Sequence, residues 1–419
     1  MELTVMGIEF EPLSNRWKQD PYPTYRQLRD EAPVHYAPES DHYVVTRYED
    51  VERVLKSPDV FSSAINPRQM PGGSQSRFAQ LRRALTSMVQ MRVLPSTAAD
   101  ARFLIAESGE SHSAMRGVVN RGFTPRRIAA WGDRAHELAA EGVARLRSGD
   151  PFDLVRDLAV PLPVTMIAEM LGVESERMHD FKRWSDAFIT GGTGSTRGKE
   201  GDRLLFRAMT ELRTYLRPIV KARRKNPADD LISALVASDG EADLNDFEIF
   251  LFIFLLLLAG NETTTNLLGN TVDALLGHPE ELARVQSDLS LVPALVEEVL
   301  RWDSPVQMLQ RTTTEEVEWH GVRIPKRAQV AAMLGAANRD ERRFENPDRF
   351  DVNRDAKSHL SFGLGAHFCL GSSLARLEAK AALEALVPEL RGIERVVQER
   401  EFVDSFVIRG LKRLELRAA

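Results

Sequence analysis

The sequence has almost no cysteine, since Cys369 is the only one among 419 residues. A single thiol excludes an intrachain disulfide and every zinc or redox site that needs a pair of cysteines. It also has no strong charge of one sign, because the formal net charge is only −6. Such a balance gives no general attraction to nucleic acid. We therefore expect a reducing compartment and no nucleic-acid partner.

Long apolar runs are also missing. Residues 1–10 contain no basic segment followed by an apolar stretch, so we expect no signal peptide. The strongest apolar run, 250–259, is far shorter than the roughly 20 residues that span a bilayer. We interpret it as part of a helix buried on all sides, and we expect a cytoplasmic protein that does not enter the membrane. No linker or internal repeat divides the chain, which favours a single domain over 1–419.

Helical patterns dominate the chain, and short alternating segments are few. This predicts a mainly α fold with small β-sheets. The predicted helices are 23–31, 48–55, 124–147, 175–190, 202–226, 244–276 and 372–386, with another that begins at His112. The predicted strands are 34–36, 43–46, 310–314, 317–319, 322–324, 329–333, 396–397 and 406–416.

Two irregular stretches interrupt these elements. Residues 62–100 contain several proline and glycine breakers around an amphipathic piece at 78–91. An excursion of this length is either disordered or functional, for example as a lid over a site. The glycine-rich segment 191–198 is either an ordinary connection between helices or a mobile cover. It does not resemble a phosphate-binding loop, because no strand precedes it and no Gly-Lys-Ser/Thr follows.

The only cysteine lies in a glycine-containing loop that leads into the predicted helix 372–386. A lone cysteine is usually a small buried hydrophobic residue. Here, however, the helix N-terminus favours a thiolate. Phe362, Gly365, His367, Cys369 and Gly371 form the pattern F-x-x-G-x-H-x-C-x-G. This pattern resembles the haem-binding loop of the cytochrome P-450 family. The resemblance implies that Cys369 is the thiolate ligand of the iron of haem b.

The middle of the predicted helix 244–276 is unusual because small and polar residues interrupt its apolar run. Ala259, Gly260, Glu262 and Thr263 give A-G-x-E-T, which is similar to the oxygen-activation motif of the same family. The resemblance implies that Ala259 leaves room for the cofactor and that Glu262 and Thr263 supply protons during catalysis. The alternative is a polar patch on the wet face of a packing helix. The implied fold places the haem between this helix and the cysteine loop with its following helix.

Four cationic or hydrogen-bonding residues are candidates for holding the two haem propionates. His112 and Arg116 stand one helical turn apart, in a pattern that resembles a propionate-binding helix of the family. Arg311 and His367 fall where the resemblance implies further propionate contacts. Without the resemblance, His112 and Arg116 would be interpreted as a solvated pair.

An E-x-x-R motif at Glu298 and Arg301 places the two side chains on one helix face. The resemblance implies that the pair is buried and that Arg349 joins it from a later loop. We expect these three residues to have a structural role beneath the cysteine loop.

The resemblance implies a monooxygenase that uses O2 and a hydrophobic substrate of the fatty acid, terpenoid, steroid or macrolide type. Its electrons would come from an external ferredoxin or flavodoxin with its reductase, docked near Arg116, Arg121, Arg126 and Arg127. The alternatives are a haem-thiolate enzyme that uses peroxide or does not oxygenate its substrate, and a haem-binding sensor or carrier. Candidate substrate walls are 62–100, 188–193, 254–258, 306–309 and 406–407.

Overall fold

The structure is a computed structural model that describes residues 8, 10–11, 14–64, 100–192, 199–237 and 244–418. The chain forms two compact units. The first unit contains residues 1–63, 135–159 and 263–419, and the second contains 64–134 and 160–262. The predicted lid over 62–100, with its piece 78–91, lies almost wholly outside the described residues. The same holds for most of the glycine-rich segment 191–198 and for the side chains of the predicted wall 188–193.

Helices make up most of the described chain, which confirms the predicted mainly α class with small sheets. The helices are α1 (Asn15–Gln19), α2 (Tyr22–Glu31), α3 (Tyr48–Lys56), α4 (Gly109–Asn120), α5 (Pro125–Ala129), α6 (Gly132–Arg147), α7 (Pro161–Leu171), α8 (Met178–Gly192), α9 (Lys199–Lys225), α10 (Leu231–Val236), α11 (Asp246–Gly277), α12 (Pro279–Ser287), α13 (Val292–Trp302), α14 (Leu334–Ala337) and α15 (Ser372–Leu386). The strands are β1 (Val34–Ala37), β2 (His42–Val45), β3 (Phe61–Ser62), β4 (Phe152–Asp153), β5 (Leu309–Thr313), β6 (Val317–Trp319), β7 (Val322–Ile324), β8 (Gln329–Ala332), β9 (Ile393–Arg395) and β10 (Glu415–Ala418).

The first unit contains all of these strands. Its largest sheet has the order β1-β2-β8-β5-β3, with β2 and β8 parallel and the other neighbours antiparallel. Alternation along β2 and β8 buries valines such as Val45 and Val330 in an apolar cluster, against which Tyr48 and Val51 of α3 also pack. The sheet therefore gives β5, which carries Arg311, a fixed position in the unit.

The predicted strand over 406–416 is wrong for most of its length. Only β10 pairs regularly, with β4 on one side and β9 on the other. Between residues 406 and 414, all of which the structure describes, the chain makes only isolated bridges, such as Val306 with Ile408. The cause is local, because the Ser405 hydroxyl accepts hydrogen bonds from the backbone N–H groups of Val407 and Ile408 and turns the chain away from a ladder. The predicted strand 396–397 likewise forms three residues earlier, as β9.

The predicted helix 124–147 is also wrong as one element, since it forms the two helices α5 and α6. Thr124 caps α5 as expected, because its side chain accepts a hydrogen bond from the Arg127 N–H. The backbone N–H of Trp131 then bonds to the carbonyl of Ile128, three residues back, which tightens the chain and ends the helix. Gly132, a poor helix former, follows at the start of α6.

The long helix α11 agrees with the predicted helix 244–276. Its length and composition would allow it to cross a membrane, with a mean hydropathy of 1.6 over its most apolar window. The apolar stretch is thus longer than the run 250–259 indicates. However, 61% of the residues in that window are buried inside the protein, as in a core helix.

Candidate functional site

The cysteine loop turns back on itself through backbone hydrogen bonds. The N–H of Cys369 donates to the carbonyl of Phe362 at 2.8 Å, and the N–H of Phe368 donates to Gly365 at 3.0 Å. Gly363 and Gly365 have φ angles of 68° and 73°, in the left-handed region that favours glycine. The two glycines thus allow the compact turn that fixes the backbone of Cys369.

Gly365 is required for a second reason. A Cβ atom placed on it would lie 2.9 Å from the backbone oxygen of Leu55, closer than real Cβ atoms come. A Cβ placed on Gly371 would meet no protein atom within 4 Å, and its φ of −86° suits other residues. Protein packing therefore explains the glycine at position 365, whereas position 371 leaves open space on the first unit.

The Cys369 thiol is half-buried and forms no disulfide. Helix α15 begins three residues later, as predicted, with Gly371 at its N-cap. The N-terminal end of a helix carries partial positive charge and unpaired N–H groups, which stabilise a thiolate. His367 lies two residues before the cysteine in the short turn Gly365–His367 and is half-buried.

A charged cluster supports the ring of Phe362 at the start of the loop. The Arg376 guanidinium lies 4.4 Å from the centre of that ring, and the His359 ring centre lies 5.6 Å from it. Arg376 also donates to the Glu297 carboxylate at 2.6 and 2.9 Å, and the His359 Nε2 lies 3.2 Å from the same group. Burial alone would raise the pKa of Glu297, but these partners lower it to about 2. The carboxylate therefore stays charged and joins α13 to α15.

Asn338 holds the backbone that leads into the loop, just before Phe362. Its carbonyl oxygen accepts a hydrogen bond from the backbone of Leu360 at 2.7 Å, and its Nδ2 donates to the hydroxyls of Ser304 and Ser361 at 2.8 Å. The residue is fully buried. Glu297 and Asn338 were not predicted, because each acts through partners distant in sequence and neither lies in a recognisable pattern.

The E-x-x-R pair is buried, as the resemblance implies. Arg301 donates to both oxygens of Glu298 at 2.7 Å, and neither side chain is exposed. The prediction that Arg349 joins this pair is wrong, since its side chain is 66% exposed and faces Asp351. Arg354 takes that place instead, with its Nε 3.4 Å from Glu298. Arg349 contributes its backbone carbonyl, which accepts from Arg301.

Arg311 is a buried cation that no carboxylate of the described residues balances. Only 8% of the residue is exposed, and its Nη1 donates to the backbone oxygen of Gln310 at 2.7 Å. No carboxylate oxygen of the described residues lies within 4.0 Å of it. Burial lowers its pKa to about 10, which shows how poorly the charge is compensated. An anionic group of a cofactor, such as a haem propionate, fits this position.

The part of α11 in the first unit begins with Thr263, which is half-buried. Its neighbour Thr264 is buried and faces the carboxyl group of Glu378 on α15. Glu378 is fully buried, and burial raises its pKa to about 8, although the Thr264 hydroxyl acts in the opposite direction. A neutral acid therefore packs against the helix that carries Thr263. The sequence contains no motif that would have identified Glu378.

In the second unit, His112 and Arg116 share one face of α4, as predicted. His112 is 3% exposed. Burial lowers its pKa, and the positive charge of Arg116 lowers it further, while Glu107 acts in the opposite direction. The imidazole is therefore neutral at pH 7 and presents one N–H donor.

Glu262 is also buried in the second unit. Lys182 on α8 donates to its carboxylate at 2.8 Å, and the Ser185 hydroxyl donates at 3.3 Å. Burial raises the pKa of Glu262, and the charge of Lys182 opposes that rise. Lys182 was not predicted, because it is 80 residues away in sequence.

The two small residues before Glu262 differ in their surroundings. Ala259 is exposed on the second unit, so its side chain leaves the helix surface flat. Gly260 instead faces α7, where an added Cβ would lie 2.6 Å from Ile167. Close packing of α11 against α7 therefore explains the glycine at position 260.

The predicted site residues divide between the units as follows. Thr263, Arg311, Phe362, Gly365, His367, Cys369 and Gly371 belong to the first unit, and His112, Arg116, Ala259 and Glu262 belong to the second. The first unit brings the five loop residues together on one turn.

Comparisons of the sequence and of the structure find similar proteins of one family. A sequence model described as Cytochrome P450 matches residues 164–392. The Vitamin D(3) 25-hydroxylase of Pseudonocardia autotrophica is 36% identical over 422 residues and is covered to 98%, with 99% of this chain. The structure of Cytochrome P450 CYP109Q5 from Chondromyces apiculatus has a TM-score of 0.84 at 40% identity, and 98% of each chain is covered. CYP109E1 from Bacillus megaterium, solved in complex with corticosterone, has a TM-score of 0.80 at 33% identity, with 96% of this chain and 99% of that one covered.

The matched model covers more than half of the chain, and the relatives match it over almost its whole length. The cofactor of the family is haem b, and its members are oxidoreductases that transfer one oxygen atom from O2 to hydrophobic substrates. The chain belongs to the cytochrome P450 family and is a haem-dependent monooxygenase.

Proposed function

We propose that Cys369 is the thiolate that binds the haem iron and that it defines the active site. The observation that carries this proposal is the position of the only thiol of the chain, in a turn fixed by two glycines of positive φ and followed by a helix N-terminus. A thiolate-bound haem supplies the activation of O2, so that one oxygen atom enters the substrate and the other leaves as water. The chain over 1–419 then acts as one catalytic domain.

The propionates of the haem would be held by Arg311, His367, His112 and Arg116. Arg311 offers a buried cation whose charge no described carboxylate balances. His112 offers a neutral ring with one N–H donor. Phe362, Gly365 and Gly371 would shape the surface against which the ring of the cofactor lies, and the exposed Ala259 would do the same on the second unit.

Protons for the reaction would pass through Glu262 and Thr263. Burial raises the pKa of the Glu262 carboxyl group, which favours the form that carries a proton. Lys182 lies 2.8 Å from it and orients the carboxylate. The Thr263 hydroxyl, one residue further along α11, would act as the hydrogen-bond donor that passes a proton on at the site of the reaction.

We propose a substrate of the steroid or secosteroid type, ahead of fatty acids, terpenoids and macrolides. One relative is a vitamin D(3) hydroxylase, and a similar structure was solved with corticosterone. Half-buried apolar residues of the first unit would line the substrate, namely Val306, Leu309, Phe406 and Val407. Their surface suits an apolar ligand, because it offers few polar groups.

The electrons would come from a ferredoxin or a flavodoxin with its reductase, in the cytoplasm. Arg121, Arg126 and Arg127 are exposed on the second unit and would attract an acidic carrier. These arginines form a positive patch on a chain whose overall net charge is −6.

The decisive test compares Cys369→Ser with the unaltered protein and with Thr263→Ala. The reduced unaltered protein under carbon monoxide should show the red-shifted Soret band of thiolate ligation. Cys369→Ser should lose this band, because a serine oxygen cannot replace the thiolate. Thr263→Ala should keep it and lose coupling between electron consumption and product.

A Cys369→Ser protein with an unchanged spectrum would contradict the assignment of the ligand. Unchanged coupling in Thr263→Ala would contradict the role of the hydroxyl and would favour a peroxide-driven or non-oxygenating enzyme.

A further inference from the structure

A stripe of polar residues runs along α11 inside the first unit. Thr263, Asn266, Asn270 and Asp273 follow one another at intervals of three, four and three residues, so they share one helix face. We name these four residues the asparagine stripe. Asn266 is 1% exposed and Asn270 is 2% exposed, among apolar neighbours such as Leu267. Buried amides in an apolar helix need hydrogen-bond partners.

The described residues do not supply all of these partners. Among the described residues, neither Nδ2 nor Oδ1 of Asn266 has a hydrogen-bond partner, and the same is true of the Asn270 Oδ1. The Nε of Arg395, beside Asp273, is also buried without a partner. More than nine in ten buried polar groups in proteins are satisfied by protein or by ordered water. Four such atoms next to one stripe therefore indicate bound water.

The wall opposite the stripe is closely fitted. The Nδ2 of Asn270 donates to the backbone oxygens of Asp303 and Arg409, at 3.0 and 3.2 Å. The next residue is Gly410, where an added Cβ would lie 2.0 Å from the Oδ1 of Asn266. The absence of a side chain at position 410 thus keeps the space that the amide of Asn266 occupies.

The far end of the stripe reaches the surface. Asp273 pairs with Arg395 at 2.8 Å and with Arg400 at 2.9 Å. The Arg400 side chain is 43% exposed, so solvent contacts this end. The opposite end is Thr263, about 15 Å away at the rise of an α-helix.

We propose that the asparagine stripe binds a file of ordered water molecules that connects solvent at Asp273 with the hydroxyl of Thr263. Asn266 and Asn270 are positioning residues, because they orient the waters and do not themselves exchange protons. At hydrogen-bond spacing, a file of this length holds about five waters. The functional part of this inference rests on the role proposed above for Thr263.

The reaction needs a supply of protons and an outlet for water. Each turnover converts a substrate C–H bond, O2, two electrons from the external carrier and two protons into a hydroxylated product and one water. Protons must therefore enter and water must leave while the substrate covers the site. The file offers a route for both that is separate from Glu262 and its partner Lys182.

The first experiment is a high-resolution crystal structure of the haem-loaded protein and of three variants. We expect water oxygens within hydrogen-bond distance of the Asn266 amide in the unaltered protein and in Asn266→Ser, which keeps room and polarity. Asn266→Leu should lose them, because it fills the space with an apolar group of similar volume. Thr265→Val is the matched control: Thr265 is buried on another face of α11, where its hydroxyl donates to Ala159. It should retain the waters.

The second experiment measures coupling and the solvent isotope effect on product formation for the same proteins. Asn266→Leu should lower the fraction of electrons that reach product roughly twofold or more and change the isotope effect, while Asn266→Ser restores both. The loss stays below the roughly 10²-fold typical of a sole proton donor, because Glu262 remains.

A dry Asn266 in the unaltered crystal would overturn the file. So would an Asn266→Leu protein that lacks the waters yet keeps its coupling and isotope effect. The Soret band under carbon monoxide distinguishes these failures from failure of the proposed function, since it reports thiolate ligation and does not depend on the stripe.

Discussion

At the scale of single residues, the buried acid Glu378 has the clearest consequence for pH dependence. Burial raises its pKa from 4.5 to about 8, so the folded protein holds a proton that the unfolded chain has released over this range. Stability therefore falls as pH rises from the lower value to the higher one, by about 1.4 kcal/mol per pH unit. Below the lower pKa, both states are protonated and the effect vanishes.

We predict that Glu378→Gln removes this dependence. At pH 5 the variant and the unaltered protein should have similar free energies of unfolding. At pH 8 the variant should be more stable by as much as about 5 kcal/mol, because glutamine stays neutral. Denaturant unfolding at three pH values measures this difference. Parallel stability curves for the two proteins would show that Glu378 is ionised throughout the range.

Sequence motifs predicted which residues lie in the site better than they predicted which residues contact them. The E-x-x-R pattern correctly predicted a pair formed by Glu298 and Arg301, because helical spacing fixes that contact. It did not predict the second arginine, since Arg349 and Arg354 lie five residues apart in one irregular segment whose path no periodicity describes. The same limit hid Lys182, which reaches Glu262 from another helix.

At the scale of elements, the turn before Cys369 depends on Gly365. We predict that Gly365→Ala destabilises the loop by more than the 1–2 kcal/mol typical of a left-handed residue. The new Cβ would also press on the backbone oxygen of Leu55, which has little freedom to move. Thermal unfolding and the fraction of protein that retains haem are the measurements.

Gly392→Ala is the matched control for this prediction. Gly392 has a similar φ of 69°, but an added Cβ would meet nothing within 4 Å. Gly392→Ala should therefore lower the stability only by the cost of a left-handed backbone conformation, and the fraction of protein that retains haem should not change. If the two substitutions lowered stability and haem retention equally, the contact between a Cβ at position 365 and Leu55 would not matter.

Sequence patterns predicted helices well where the spacing of apolar residues is regular and a clear signal marks the end of the helix. Helix α15 has the predicted bounds, and α11 agrees within two residues at its start. The helix 124–147 and the strand 406–416 were predicted wrongly because hydrophobic periodicity does not reveal local turns. These turns are the tightened one at Trp131 and the one in which the Ser405 hydroxyl accepts backbone hydrogen bonds. Pairing of β10 with β4 joins segments more than 260 residues apart, which no local signal reveals.

At the scale of the whole molecule, overall composition does not predict the charge of individual surfaces. The net charge of −6 hides basic side chains on the second unit, such as Arg126. We predict that Arg126→Glu slows reduction by a ferredoxin about twofold or more at low salt, since rim charges act mainly on association rates. The difference should shrink at high ionic strength because salt screens exposed charges.

The control for this charge reversal is Arg217→Glu, an exposed arginine on α9 of the same unit. It changes the net charge equally and should leave the reduction rate unaffected. If both variants slowed reduction alike, the effect would come from total charge and the docking surface would lie elsewhere.

With Cys369 as the proposed iron ligand, the single half-buried sulfur described above makes the chain its own reporter of cofactor loading. A sulfur bound to iron does not react with a maleimide, and no second thiol exists to confuse the count. Under native conditions, the moles of maleimide taken up per mole of protein would therefore equal the fraction of molecules made without haem.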